Sequence, residues 1–277
     1  MPLTKVRLGE LTFDVADSGP ADGPVVVLLH GFPQSHHCWD QVAEELNANG
    51  YRTIAPDQRG YSPGARPAAV RDYEIPLLVA DVIGLLDALG VHKAHIVGHD
   101  WGAIVAWHLA VRHPERTQTL TAVSVPHPAA FTWARNHDPD QQKRSGYIDL
   151  FRREGEAEDA LLGAESGLRA AFVPPLTEAQ AAPHVALLST RAALTAALNW
   201  YRAMTDETGE LGPSTVPTTY VWSTEDQALG RAGAERCAQH VTGTYRFVQL
   251  DGITHWIPEQ APEAVTREIL ARAASAQ

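Results

Sequence analysis

The sequence is poor in cysteine and has neither a basic cluster nor a long apolar run. Only two cysteines occur among 277 residues, which excludes a disulfide framework and a cysteine-based metal cluster and predicts a reducing, cytoplasmic location. The net charge of -11 without a basic run argues against nucleic acid or an anionic membrane as a partner. No stretch is long enough to span a bilayer, and MPLTKVRLGELTF at the start lacks the apolar region of a secretory signal.

Short β-rich runs alternate with helical patterns along most of the chain. VVVLL and HIV are unbroken apolar runs, as expected for strands buried on both faces of a parallel sheet. The alternation predicts an α/β fold with a mostly parallel central sheet and helices on both faces. Strands are predicted at 11–16, 25–29, 52–55, 94–97, 120–125, 218–222 and 245–250. Helices are predicted at 39–48, 77–89, 102–112, 231–240 and 261–274.

The alternation stops between residues 128 and 214, where AEDALLG, GLRAAF and RAALTAALNWYRAM have helical patterns and no strand is evident. A helical block inserted late in an α/β chain indicates a lid over the site. The predicted organisation is therefore a core formed by 1–127 and 215–277 with a helical cap at 128–214. The alternative is a separate helical domain without a catalytic part.

The stretch GHDWG places Asp100 between two glycines, where an apolar run meets a helical pattern. Active sites of open α/β sheets form at the carboxyl ends of strands, and this pattern has the spacing of the G-x-S-x-G nucleophile elbow with Asp in place of Ser. On its own the pattern also fits an ordinary capping aspartate. Its context therefore decides.

The context of Asp100 supports catalysis. HGFPQS follows the VVVLL run in the form of an oxyanion loop, whose Phe32 N–H would act together with the N–H of Trp101. Downstream, YVWSTEDQALG places Asp226 after a strand, and LDGITHWIP places His255 before the last helix. The order of nucleophile, acid and histidine is that of the α/β-hydrolases. Glu225 competes with Asp226 for the role of the acid.

The chain resembles the α/β-hydrolase fold enzymes with an aspartate nucleophile, and most closely the epoxide hydrolases. HGFPQ, DQRGYS, GHDWGA, NWYR and the Asp226/His255 pair all occur in the family's order. The resemblance implies an α/β-hydrolase fold, a small apolar epoxide and water as the reactants, a monomer or homodimer, and neither a cofactor nor a metal.

The resemblance also implies two lid tyrosines that protonate the epoxide oxygen. Tyr201 lies in NWYR, which matches the second tyrosine motif, and Tyr147 begins YIDLF, which resembles the first. The alternative for Tyr147 is a packed residue of an amphipathic helix. Phe32, Trp101 and Trp200 are candidates for substrate contact, although Trp200 also fits lid packing.

An aspartate nucleophile suits displacement at saturated carbon. Serine would form an ether there, whereas a carboxylate forms an ester that water can attack. His255 would then take a proton from that water, oriented by Asp226. The alternative substrates are alkyl halides, as in haloalkane or haloacid dehalogenases, and a non-catalytic small-molecule binder of this fold is the alternative from another class.

Overall fold

A computed structural model of the chain describes residues 3–163, 167–205 and 208–275. Its eight strands are β1 (Leu3–Leu8), β2 (Leu11–Ser18), β3 (Val25–Leu29), β4 (Arg52–Pro56), β5 (Ala94–His99), β6 (Thr117–Val123), β7 (Thr218–Glu225) and β8 (Tyr245–Thr254). The first helices in the chain are α1 (Asp40–Ala48), α2 (Ile75–Ala88) and α3 (Trp101–Arg112). Among the described residues, no helix is both long and apolar enough to cross a bilayer.

All eight strands form one sheet in the order β1-β2-β4-β3-β5-β6-β7-β8. The pairs β1–β2 and β2–β4 are antiparallel, and the other neighbours are parallel. The central strands β3 and β5 carry the apolar runs of the sequence, and nearly all of their side chains are buried. The predicted α/β fold with a mostly parallel sheet is confirmed.

The first strand is absent from the sequence prediction. β1 lies at the edge of the sheet and pairs only with β2, and most of its side chains are exposed. Its sequence, LTKVRL, therefore lacks the apolar run that identified the buried strands. An edge strand with charged side chains is a common protection against edge-to-edge association.

In the described part of the chain, seven α-helices lie between β6 and β7, and no described residue between Pro128 and Arg202 belongs to a strand. They are α4 (Pro128–His137), α5 (Pro139–Arg144), α6 (Tyr147–Phe151), α7 (Glu156–Leu162), α8 (Gly167–Ala170), α9 (Glu178–Leu187) and α10 (Arg191–Arg202). We refer to this helical segment as the cap. The helical character predicted for this part of the chain is observed, whereas the domain limits at 127/128 and 214/215 stay a prediction.

After β7 the chain forms α11 (Arg231–Arg236), α12 (Ile257–Gln260) and α13 (Pro262–Ala274). Two hydrophobic clusters cover the two faces of the sheet. The first contains side chains of α2, α3 and the cap helix α10, and the second contains those of α1 and α13. Helices thus bury both faces of the sheet, and the carboxyl ends of β5, β6 and β7 face the cap.

Candidate active site

Asp100 lies in a sharp turn between β5 and α3. Its backbone has φ 52° and ψ −121°, a conformation that non-glycine residues rarely adopt. A Cβ atom on Gly98 would collide with the carbonyl of Gly102, and one on Gly102 would collide with the carbonyl of Leu29. The turn therefore requires both glycines of GHDWG, and it presents the Asp100 side chain at the end of the strand.

Two backbone N–H groups hold the carboxylate of Asp100. The N–H of Phe32 donates to Oδ1 at 2.8 Å, and the backbone N–H of Trp101 also helps to lower the pKa of the carboxyl. Gly31 allows this approach, because a Cβ there would overlap the Asp100 side chain. Both donors predicted from the sequence thus lie against the same side chain.

The carboxylate of Asp100 faces the ring of His255. His255 Nε2 lies 3.6 Å from Asp100 Oδ2, and its Nδ1 lies 3.0 Å from Asp226 Oδ2. The structure thus brings the three predicted residues together in the predicted order. Glu225 is exposed, so the geometry favours Asp226 over Glu225 as the acid.

Asp226 is completely buried, and its charge is balanced by hydrogen bonds. The backbone N–H groups of Ala228 and Leu229 donate to Oδ1 at 2.8 and 3.0 Å, and the hydroxyl of Ser124 donates to Oδ2 at 2.7 Å. Burial opposes ionisation, but the charge and hydrogen bond of His255 outweigh it and lower the pKa of Asp226. The residue therefore remains a carboxylate.

Asp100 and His255 form an ion pair in this environment. Burial opposes ionisation of Asp100, but the hydrogen bond and charge of His255 lower its pKa below the ordinary value. Burial likewise lowers the pKa of His255, but Asp226 and Asp100 more than offset this and raise it to about 10. At neutral pH the site therefore holds an imidazolium between two carboxylates.

Ser124 is a site residue that the sequence did not reveal. It follows the end of β6, has φ 70° and is completely buried. Its hydroxyl lies 3.0 Å from His255 Nδ1 as well as 2.7 Å from Asp226. The segment SVPHP contains no carboxylate, so its only signal was its position at the carboxyl end of a strand.

The cap places both candidate tyrosines over Asp100. A cavity of about 220 Å³ is lined by residues from core and cap, among them Phe32, Asp100, Tyr147, Tyr201, His255 and Trp256. The Tyr201 ring packs edge-on against the Trp101 ring at a centroid distance of 5.1 Å and against the Tyr147 ring at 6.1 Å. Burial and the charge of Asp100 raise the pKa of both phenols, so both keep their protons at neutral pH.

Trp200 lies behind this cavity. Its indole N–H donates to the carbonyl of Arg59 at 2.8 Å, and its ring packs against Trp101 at a centroid distance of 5.6 Å. It does not line the cavity above Asp100. The geometry favours a packing role over direct substrate contact, which stays a prediction.

The chain is similar to known proteins over nearly its whole length. Residues 24–262 match a family model described as alpha/beta hydrolase fold. The chain is 36% identical over 273 residues to the AB hydrolase superfamily protein YfhM of Bacillus subtilis, covering 96% of this chain and 95% of the relative. It is 34% identical over 300 residues to epoxide hydrolase A of Mycobacterium tuberculosis, covering 92% of each chain.

The chain is also similar in overall structure to solved epoxide hydrolases. The crystal structure of epoxide hydrolase A from Mycobacterium thermoresistibile is 29% identical, with a TM-score of 0.85 and 98% of each chain covered. The epoxide hydrolase of Bacillus megaterium in complex with an inhibitor is 26% identical, with a TM-score of 0.88, covering 98% of this chain and 100% of that one.

Proposed function

We propose that this hydrolase, which belongs to the α/β-hydrolase fold family, converts epoxides to vicinal diols through an ester formed on Asp100. One observation carries the proposal: a carboxylate, an imidazole and two phenols line a single cavity. An epoxide oxygen leaves as a basic alkoxide, so ring opening needs a nucleophile and a proton donor together. Asp100 provides the first, and Tyr147 and Tyr201 provide the second.

In the first step the Asp100 carboxylate attacks a ring carbon of the epoxide. A carbon–oxygen bond forms to the carboxylate, and the bond from that carbon to the epoxide oxygen breaks. The electron pair passes to the epoxide oxygen, which takes a proton from one of the tyrosines. General acid assistance of this kind typically contributes about 10²–10⁴-fold to the rate.

The proton balance of the site links the two steps. His255 carries a proton in the resting site, because its pKa is raised to about 10 by two carboxylates. Ester formation removes the charge of Asp100, so only Asp226 is left to raise the pKa of His255. The proton of His255 then restores the tyrosine, and His255 is left neutral and able to act as a base.

In the second step water attacks the carbonyl carbon of the ester. His255 takes a proton from the water and is stabilised as an imidazolium by Asp226. The N–H groups of Phe32 and Trp101 stabilise the oxyanion, and one such donor is worth about 3–4 kcal/mol in a serine protease. The intermediate then expels the diol alkoxide, which takes the proton of the His255 imidazolium. Collapse leaves Asp100 as a carboxylic acid, and its proton passes to His255, which restores the ion pair.

The surroundings of Trp101 favour epoxides over alkyl halides. A halide leaves as a stable anion and needs free N–H donors but no proton. The Trp101 ring instead packs edge-on against Tyr201 at a centroid distance of 5.1 Å. Two neutral phenols beside the nucleophile are suited to protonating an oxygen, and this supports ring opening of an epoxide.

A single turnover in heavy-oxygen water tests the proposal. With enzyme in excess over an aryl epoxide, the label should enter the Asp100 carboxylate, and the first diol formed should be unlabelled. Peptide mass mapping locates the label, and the same experiment with an Asp100→Ala variant is the control. Label that appears directly in the diol and not in Asp100 would show that water attacks the epoxide itself, contrary to the proposal.

A further inference from the structure

A line of buried polar side chains leads from cap helix α9 to the backbone of His255. His184 Nε2 lies 3.4 Å from Glu259 Oε1, and this oxygen lies 2.6 Å from the side-chain amide of Gln34. The other end of that amide lies 2.8 Å from His99 Nδ1. His99 Nε2 lies 2.8 Å from the carbonyl oxygen of His255. We call His184, Glu259, Gln34 and His99 the Glu259 network.

The donors and acceptors of the network can be assigned from its two ends. The carbonyl of His255 only accepts, so His99 Nε2 must carry a hydrogen. At the other end, the backbone N–H of Ser35 donates to His184 Nδ1 at 3.1 Å, so the hydrogen of a neutral His184 lies on Nε2 and points to Glu259. Between these ends lie only Glu259, Gln34 and His99.

With ordinary protonation states the middle of the network is one hydrogen short. A neutral His99 with a hydrogen on Nε2 needs a donor at Nδ1, and only the amide N–H of Gln34 is in place. This requires the Gln34 amide to be turned by 180°, so that its oxygen takes the place of Nε2, 2.6 Å from Glu259 Oε1. Two oxygens at that distance require a hydrogen between them. That distance lies within the usual O–H···O range of about 2.5–3.0 Å.

The orientation of the Gln34 amide in the structure, with Nε2 toward Glu259 and Oε1 toward His99, leads to the same count. Its oxygen faces His99 Nδ1, and both ring nitrogens of His99 need hydrogens. Burial lowers the pKa of His99 to about 3, which disfavours this imidazolium and favours the first arrangement. One orientation thus requires a protonated Glu259, and the other requires a doubly protonated His99. In both cases the three side chains carry one proton more than they would with an ionised Glu259 and a neutral His99.

The described surroundings of Glu259 do not favour an ionised carboxylate in place of this shared proton. Its Oε2 is buried without a hydrogen-bond partner in the described part of the chain, an unfavourable place for a full negative charge. The nearby thiol of Cys38 stays neutral, because burial raises its pKa well above the ordinary value. At the far end, His99 faces the charged groups of His255, Asp100 and Asp226.

We propose that Glu259 is a positioning residue that shares one proton with His99 through Gln34, and that this proton fixes the loop of His255. The bond to the His255 carbonyl sets the position of the ring that faces Asp100. The contact with His184 joins this loop to the cap. Only the catalytic part of this inference rests on the proposed epoxide hydrolysis.

Two substitutions distinguish a role of Glu259 in sharing a proton from a role in packing alone. Glu259→Gln places a permanent N–H toward Gln34 without a titrating proton, whereas Glu259→Leu has a similar size and no donor. We expect the Leu variant to lose on the order of 10²-fold in ester hydrolysis, the scale of a misplaced catalytic group, and the Gln variant to lose much less.

The decisive measurement is the stability of wild type and Glu259→Gln in urea from pH 5 to pH 9. At pH 5 to 9 an exposed carboxyl in the unfolded chain is ionised, whereas the native wild type keeps the shared proton. The native state therefore binds one more proton than the unfolded state, and the stability should fall as the pH rises. Relative to Glu259→Gln, its folding equilibrium constant should fall by up to about tenfold per pH unit. Denaturation needs no substrate, so this outcome does not depend on the proposed activity.

Either of two results would overturn the inference. One is a stability difference between wild type and Glu259→Gln that is the same at every pH, since no proton would then be held in excess. The other is a Glu259→Gln variant that hydrolyses the ester as slowly as Glu259→Leu. The first comparison remains valid even if the Leu variant does not fold.

Discussion

On the core side of the cavity, backbone hydrogen bonds hold the charged groups, whereas on the cap side aromatic packing holds the phenols. The carboxylate of Asp100 accepts the backbone N–H of Phe32, and the carboxylate of Asp226 accepts those of Ala228 and Leu229. Tyr201 instead packs against Phe32, Trp101 and Phe151 at ring-centroid distances of 5.3, 5.1 and 5.1 Å. Tyr147 packs against Phe151 at 5.1 Å.

The difference follows from what each half has to stabilise. A buried carboxylate needs fixed dipoles, because burial removes it from bulk solvent and an unpaired charge is costly there. A neutral phenol needs only the correct direction, and neighbouring rings can provide it. We therefore expect core substitutions to stop a chemical step and cap substitutions to slow one by a graded amount.

The largest effect is expected for His255→Gln. Steady-state turnover should fall on the order of 10⁴-fold or more, the scale seen when a catalytic residue is removed. Ester formation should persist, because the carboxylate of Asp100 needs no base. Intact-protein mass spectrometry should then detect a stable adduct of substrate mass. Exposed His92→Gln is the control, and a folded His255→Gln protein that forms no adduct would contradict this division of roles.

A smaller effect is expected when both cap hydroxyls are removed. The Tyr147→Phe/Tyr201→Phe variant keeps the rings and their packing, so it should slow ester formation by about 10²–10⁴-fold, and each single variant should slow it less. Rapid-quench measurement of adduct formation gives the rate. An alkyl bromide is the control substrate, because bromide leaves without a proton. Unchanged epoxide opening in the double variant would make both tyrosines packing residues.

The elbow can be tested through stability. Gly102→Ala forces a methyl group against the carbonyls of Leu29 and His30, and such overpacking costs about 1–3 kcal/mol. Gly212→Ala is the matched control, since its methyl group would meet no atom within 4 Å. Urea denaturation should give a change within about 0.5 kcal/mol for Gly212→Ala. Equal losses in the two variants would mean that the elbow is not tightly packed.

The smallest effect is expected for Ser124→Ala. Asp226 keeps two backbone donors, so loss of this hydroxyl should cost about 0.5–1.5 kcal/mol and slow ester hydrolysis by about 2–10-fold. Ser124→Gly also removes the hydroxyl but relieves the strain of φ 70°. It should hydrolyse the ester as slowly as the Ala variant and be more stable. Wild-type hydrolysis in both variants would exclude a role for Ser124 beside Asp226.

Local rules made much of the fold and of the core half of the site predictable. The apolar runs of β3 and β5 identify buried strands because no polar face interrupts them, whereas the exposed edge strand β1 has no such signal. Tyr147 was harder to assign, because an amphipathic cap helix contains tyrosines for packing as well as for catalysis.

The sequence by itself determined the position of the elbow at Asp100, because the two glycines that flank it form a local pattern. The carbonyl that makes Gly102 necessary belongs to Leu29 of β3 and is a tertiary contact. The sequence also determined that Asp100, Asp226 and His255 are candidates for one site, because each follows a predicted strand and the strands end at one edge of the sheet. Only the tertiary structure decided which distant groups meet: Ser124 at Asp226, and Glu259 at Gln34, 225 residues away in the chain. Steric rules act over a few residues, whereas these contacts depend on strand order and on how the cap packs.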